Sequence, residues 1–159
     1  RIGCGYDVHQ LVANRPLILG GITIDHPKGL LGHSDADVLT HTIMDAILGA
    51  LNLGTIGDLF PDTDPAYKDS NSLDLLDEVV HRMTEAGYII GNVDSVIAAQ
   101  RPKLAPHIPA MKTCLSNHLN TDIHNVSVKA TTTEQLGFVG EEKGMAAYAT
   151  VLLTKSNAD

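Results

Sequence analysis

The sequence predicts a two-layer α/β (α+β) sandwich in which a mixed β-sheet carries helices on one face. Three observations lead there. Segments of period-two alternation and β-branched residues interleave with segments of helical periodicity. The 159 residues, 43% of them hydrophobic and 19% charged, suit one domain spanning 1–159. No internal repeat, low-complexity tract or Pro/Gly-rich linker divides them. A chain of this size buries roughly 68–70% of its unfolded surface and needs neither disulfide nor metal merely to fold.

The opening run Ile2-Gly3-Cys4-Gly5-Tyr6-Asp7-Val8-His9 places Ile2, Cys4, Tyr6 and Val8 on one face of a strand and Gly3, Gly5, Asp7 and His9 on the other. Asp7 and His9 thus point the same way, over a floor cleared by two glycines. Residues 16–19 and 22–24 flank Gly20-Gly21, a hairpin signal because both central positions can take positive φ. Ser34 is placed to cap a helix with Asp37 three residues on, and apolar residues at 38, 39, 43, 46, 47 and 50 carry that helix to Leu51. The Gly/Pro/Asp-rich segment 52–69 is longer than ordinary connections, the usual mark of a lid or binding loop. A second helix is expected to start at Ser70 or Ser72, bury Leu75, Leu76, Val79 and Met83, and stop at Gly87. Residues 88–99 read as a strand, 110–119 as a helix, 126–131 as a strand and 145–154 as a closing strand.

With 11 basic and 19 acidic residues, a net charge of −8 and no Lys/Arg block, the chain has no electrostatic grip on nucleic acid or an anionic membrane. Asp45 interrupts the longest apolar run, 43–51, well short of the roughly 20 residues of a membrane span. Cys4 and Cys114 form neither a CxxC pair nor a disulfide framework, which fits free thiols in a reducing compartment. A reducing compartment such as the cytoplasm is the expected location.

Asp7 and His9 supply a carboxylate and an imidazole on one strand face, while Asp37, His41 and Asp45 follow at i, i+4 and i+8 along one side of the first helix. With that helix packed on the strand, His41 completes two imidazoles and one carboxylate, a catalytic zinc set that leaves a fourth position for water or substrate. The same ligand types also suit an octahedral iron site. Asp37 or Asp45 is placed to hold the second imidazole nitrogen. Ala130-Thr131-Thr132-Thr133-Glu134 stands where a strand gives way to a loop, offering hydroxyls and N–H groups to phosphate oxygens and one carboxylate to a hard cation. Gln100-Arg101-Pro102-Lys103-Leu104-Ala105-Pro106-His107 is a stiff loop whose backbone can read a base edge. Gly3-Cys4-Gly5 lacks the third glycine of a dinucleotide fingerprint, and no helix follows it directly.

Taken together, Gly5-Tyr6-Asp7-Val8-His9, His33-Ser34-Asp35-Ala36-Asp37-Val38, His41, Asp45, Phe60-Pro61-Asp62-Thr63-Asp64-Pro65 and Lys129-Ala130-Thr131-Thr132-Thr133-Glu134 closely resemble the 2-C-methyl-D-erythritol 2,4-cyclodiphosphate synthase family, in order from the first strand to the last. That family belongs to the non-mevalonate isoprenoid pathway and converts 4-diphosphocytidyl-2-C-methyl-D-erythritol 2-phosphate to the cyclic diphosphate with release of CMP. The resemblance implies a homotrimer whose active sites lie between neighbouring subunits. In that pattern Asp7, His9 and His41 hold zinc, and Glu134 holds magnesium or manganese with the substrate diphosphate. His33 and Ser34, with the loop containing Gly57 and Asp62, contact the methylerythritol phosphate. Ala99, Pro102, Lys103, Leu104, Ala130, Thr131 and Thr132 of the neighbouring subunit form the cytidine and phosphate pocket. Thr132 also counts among the catalytic residues, and Phe138 among those that bind substrate.

Two departures stand out. Many bacterial relatives carry an acidic residue where this chain has Thr55, which leaves that substrate contact open. The Gly-Arg-x-Glu-Gly run that family members often carry near the three-fold axis is here Gly140-Glu141-Glu142-Lys143-Gly144, with the basic and acidic places exchanged. Two other functions fit the same residues: a zinc-dependent phosphodiesterase releasing linear products, and a non-enzymatic trimeric binding module with a structural zinc.

Overall fold

The computed structural model describes residues 1–157. Strands β1 (Ile2–Ala13), β2 (Leu17–Leu19), β3 (Ile22–Ile24) and β4 (Lys28–Leu30) precede helix α1 (Val38–Ala50). Helices α2 (Ile56–Leu59) and α3 (Ser72–Glu85) follow, then β5 (Tyr88–Ala98), α4 (Ile108–His118), β6 (Val126–Thr131), α5 (Gly137–Gly140) and β7 (Gly144–Lys155). Five strands form one sheet in the order β4-β1-β7-β5-β6, and β2 and β3 form a separate hairpin. Only β5 and β6 run parallel; the other pairings in the sheet are antiparallel. The fold is therefore the mixed α/β architecture that the sequence predicts. Gly20 and Gly21 take φ of 58° and 77° at the hairpin tip, as a two-residue turn demands.

The two sides of β1 have opposite fates. Its glycine side meets α1 backbone to backbone: a β-carbon built on Gly3 would fall 1.9 Å from the Ala46 carbonyl oxygen. Around this contact, Leu39, Ile43 and Ile47 of α1 pack with Ala147, Ala149 and Val151 of β7 and with Val93 and Ile97 of β5. Leu76, Val79 and Met83 of α3 and Met111 and Leu115 of α4 close the core. On the other side of the sheet Ile2, Tyr6, Val8, Tyr148 and Leu152 are exposed, with the Tyr6 and Tyr148 rings 4.8 Å apart. One corner of that side is covered among the described residues, where Val139 of α5 packs on Ala98 and Ala146. Among the described residues no helix is long and apolar enough to cross a membrane.

Several local expectations need correction. Asp37, not Ser34, caps α1, because its carboxylate can accept from Thr40 N while also taking the hairpin N–H groups of Gly20 and Gly21. Residues 52–69 are not one plain loop: they hold α2 and a 3₁₀ turn at Pro65–Tyr67. Helix α3 buries Val80 in place of Leu75, which stays half-buried facing a cleft. Helix α4 begins two residues early, at Ile108, since a proline is tolerated in the first turn.

Candidate functional site

The glycine floor brings α1 close enough for His41 to meet the two polar residues that follow it on β1. Asp7 Oδ2 lies 2.9 Å from His9 Nε2 and 3.2 Å from His41 Nδ1. The two imidazole nitrogens lie 3.2 Å apart. Three donor atoms in so small a triangle fit a shared cation: bonds of about 2.0–2.2 Å to a tetrahedral centre imply ligand-to-ligand edges of roughly 3.3–3.6 Å. Among the described residues this is the one group of three that could hold a metal ion.

The lone pairs are aimed by neighbours. His9 Nδ1 lies 2.8 Å from the Leu31 carbonyl oxygen, an acceptor only, so Nδ1 carries the hydrogen and Nε2 faces Asp7 and His41 unprotonated in the neutral ring. His41 is buried, and its Nε2 sits 3.0 Å from Ser34 Oγ and 2.9 Å from Ser72 Oγ. Neither Asp37 nor Asp45 holds that nitrogen: Asp37 is occupied at the helix cap, and Asp45 accepts the Ile56 N–H at 2.8 Å. Burial works to raise the Asp7 carboxyl, but hydrogen bonds and charge from His41 and His9 in their protonated forms hold it well below the usual carboxylate range. Burial works to lower His9, yet the Asp7 hydrogen bond and charge outweigh it and the imidazole titrates above its ordinary value. Burial raises Asp45, against the opposing Ile56 hydrogen bond.

The triad forms the floor of a cleft of about 440 Å³ that also includes His33, Ser34, Gly57 and Asp62. Thr55 lines it too, but its hydroxyl is drawn to Asp58 Oδ2 at 3.2 Å in a capping box at the start of α2. A second cleft, of about 730 Å³, opens where the parallel strands β5 and β6 end, and it gathers Ala99, Pro102, Lys103, Leu104, Ala130, Thr131 and Thr132. Carboxyl ends of parallel strands are common ligand sites because the backbone groups there are free of the ladder. The predicted residues thus divide between two clefts on one chain. Glu134 and Phe138 line neither: Glu134 is exposed at φ 52° with its N–H on Thr132 Oγ1, and Phe138 is exposed on α5. Lys143 pairs with Glu141 at 2.9 Å in the exchanged run. Sequence reasoning missed Ser72 and Asp35, the groups behind His41; the Ser-Asp pair in His33-Ser34-Asp35 was the only available signal, because their meeting depends on where α3 begins.

Residues 1–154 match the YgbB family. The chain is 63% identical over 155 residues to 2-C-methyl-D-erythritol 2,4-cyclodiphosphate synthase of Desulfitobacterium hafniense, covering 98% of each. Its fold is similar to that of the bifunctional IspDF of Campylobacter jejuni, with a TM-score of 0.93 and 45% identity over 97% of this chain but 42% of that one. It is likewise similar to IspF of Plasmodium falciparum in complex with CDP, with a TM-score of 0.88 and 38% identity over 99% of this chain and 97% of the other. A full-length match and a shared fold leave one assignment: this chain belongs to the YgbB family.

Proposed function

We propose that the protein is a phosphorus-oxygen lyase that converts 4-diphosphocytidyl-2-C-methyl-D-erythritol 2-phosphate to 2-C-methyl-D-erythritol 2,4-cyclodiphosphate and CMP. The observation that carries this reading is the convergence of Asp7 Oδ2, His9 Nε2 and His41 Nδ1 on one point at the floor of a cleft, in a chain 63% identical to a named synthase. Asp7, His9 and His41 would hold zinc, and Glu134 would hold magnesium or manganese with the diphosphate. When bound, the two cations supply the Lewis-acid polarisation and charge neutralisation that a polyanionic substrate needs in a protein of net charge −8.

The chain's own residues do the positioning. An oxygen of the 2-phosphate forms the new bond to the β-phosphorus while the bond from that phosphorus to the CMP oxygen breaks, and CMP leaves with the electron pair. The nucleophile is already anionic, so no side chain removes a proton from it. His33 and Ser34, beside the triad, would hold the methylerythritol phosphate, with Gly57 and Asp62 closing from the 52–69 segment. Holding both phosphates of one molecule in contact turns the attack into an intramolecular step, and closure excludes the water that would hydrolyse instead. Ala99, Pro102, Lys103, Leu104, Ala130, Thr131 and Thr132, which line the second cleft, would bind the cytidine and its phosphates; a relative in complex with CDP supports a cytidine nucleotide as the ligand. Phe138, exposed on α5, would join the substrate contacts of the assembled protein.

Assembly as a homotrimer reconciles two clefts with one substrate, since a neighbour's nucleotide cleft can then face this chain's metal cleft. The exposed apolar side of the sheet, Ile2, Tyr6, Val8, Tyr148 and Leu152, is the surface such an assembly would bury. The deciding experiment incubates the protein with the cytidine substrate and a divalent ion and resolves the products. CMP with the cyclic diphosphate supports the lyase; linear products mean a phosphodiesterase; binding without turnover means a binding module.

A further inference from the structure

Behind His41, on the side away from Asp7 and His9, the hydrogens can be assigned without reference to any cation. Asp35 Oδ2 accepts the Ser72 N–H at 2.9 Å, and Asp35 Oδ1 accepts the Ser72 hydroxyl. A carboxylate is an acceptor only, so the single hydroxyl hydrogen of Ser72 is spent on it. The Ser72 oxygen can then only accept from His41 Nε2, 2.9 Å away, which must carry a hydrogen. In the neutral ring this leaves the Nδ1 lone pair facing Asp7 and His9. The arrangement is held from several sides. Asp35 N donates to the Ser70 carbonyl at 3.0 Å, Asp69 N to the His33 carbonyl at 2.7 Å, and Arg15 Nη2 to the Ser34 carbonyl at 2.8 Å. Ser72 is itself fully buried in the first turn of α3.

We propose that Asp35 and Ser72 are positioning residues: a carboxylate-to-hydroxyl-to-imidazole relay that locks His41 in its Nε2–H tautomer and strengthens Nδ1 as a metal ligand. The proposal rests on Asp7, His9 and His41 being the metal ligands. Outer partners of this kind fix ring orientation and raise ligand basicity. The relay also assigns Ser34. With a hydrogen already on Nε2, Ser34 Oγ, 3.0 Å away, can accept from that ring but not donate to it, so its hydroxyl hydrogen is left for a phosphate entering the cleft. One helix start, Ser72, thereby ties the ligand set to the edge of the 52–69 segment.

The test loads the full-length protein with Zn²⁺ and follows its release to a competing chelator, with Co²⁺ substitution for the visible spectrum. Ser72→Ala and the shape-preserving Asp35→Asn should each weaken metal retention about 10–100-fold. Each should also change the Co²⁺ ligand-field bands, leaving CDP affinity at the second cleft unchanged. Ser34→Ala should retain metal nearly as the parent does while weakening phosphate binding. Parental metal retention and an unaltered Co²⁺ spectrum in Asp35→Asn, or in both relay variants where Ser72→Ala folds, would overturn the relay. Parental retention in His41→Ala would instead overturn the ligand assignment beneath it, so the two failures are distinct.

Discussion

Gly5 and Thr42 meet backbone to backbone: a β-carbon built on Gly5 falls 2.1 Å from the Thr42 carbonyl oxygen, where ordinary contacts stay beyond 3.0 Å. The contact lies one residue from His41 on the helix and two from Asp7 on the strand, so it sets the spacing of the triad directly. Gly5→Ala must lift α1 from β1, and overpacking of this kind costs about 1–3 kcal/mol. The expected result is a lower melting temperature together with weaker zinc retention. A variant that melts and holds zinc like the parent would show that the spacing is set elsewhere.

Asp37 is buried and accepts from Gly20 N, Gly21 N, Thr40 N and Thr40 Oγ1. One carboxylate thus caps α1 and anchors the hairpin. Asp37→Ala strips four donors at once and is expected to cost about 2–4 kcal/mol, above the usual range for a lost helix cap. Urea denaturation measures this, and a loss under 1 kcal/mol on the order of a surface substitution would contradict it.

Metal removal should destabilise the fold, since Asp7 and His9 come from β1 and His41 from α1. Ligand present at 100 times its dissociation constant adds about 2.7 kcal/mol to the stability of the state that binds it. Scanning calorimetry with Zn²⁺ and with chelator should therefore show separate melting temperatures for the parent and coincident ones for His41→Ala.

Glu134 is exposed at the end of a threonine run, away from the triad. Glu134→Gln should keep zinc, by elemental analysis, while shifting the magnesium or manganese concentration needed for half-maximal turnover upward. Loss of zinc in this variant would place Glu134 in the wrong site.

If neighbouring chains supply the two clefts of one active site, His41→Ala and Thr132→Ala chains should each be inactive alone yet active when co-expressed. Random mixing of the two leaves about a quarter of interfaces with both halves intact. Mixed oligomers with no recovered turnover would place both halves on one chain.

Much of this was legible in the sequence because periodicity is local. The alternation of β1 put Asp7 and His9 on the glycine side, and the apolar spacing of α1 located His41 to within its correct helix turn. What escaped depends on tertiary contact. Ser34 and Asp37 are both good caps on paper, and the hairpin N–H groups that select Asp37 lie 16 and 17 residues away. The Asp35–Ser72 bond spans 37 residues and depends on where α3 starts. Leu75 follows the helical period but sits at its margin, where the cleft replaces the core.

The alternation of β1 has a consequence for drift. One side of the strand carries Gly5, Asp7 and His9 toward α1, and the other carries Ile2, Tyr6 and Val8 outward. Adding or deleting a single residue between Gly3 and His9 would invert this sorting, driving a tyrosine into the helix backbone and turning Asp7 and His9 away from His41.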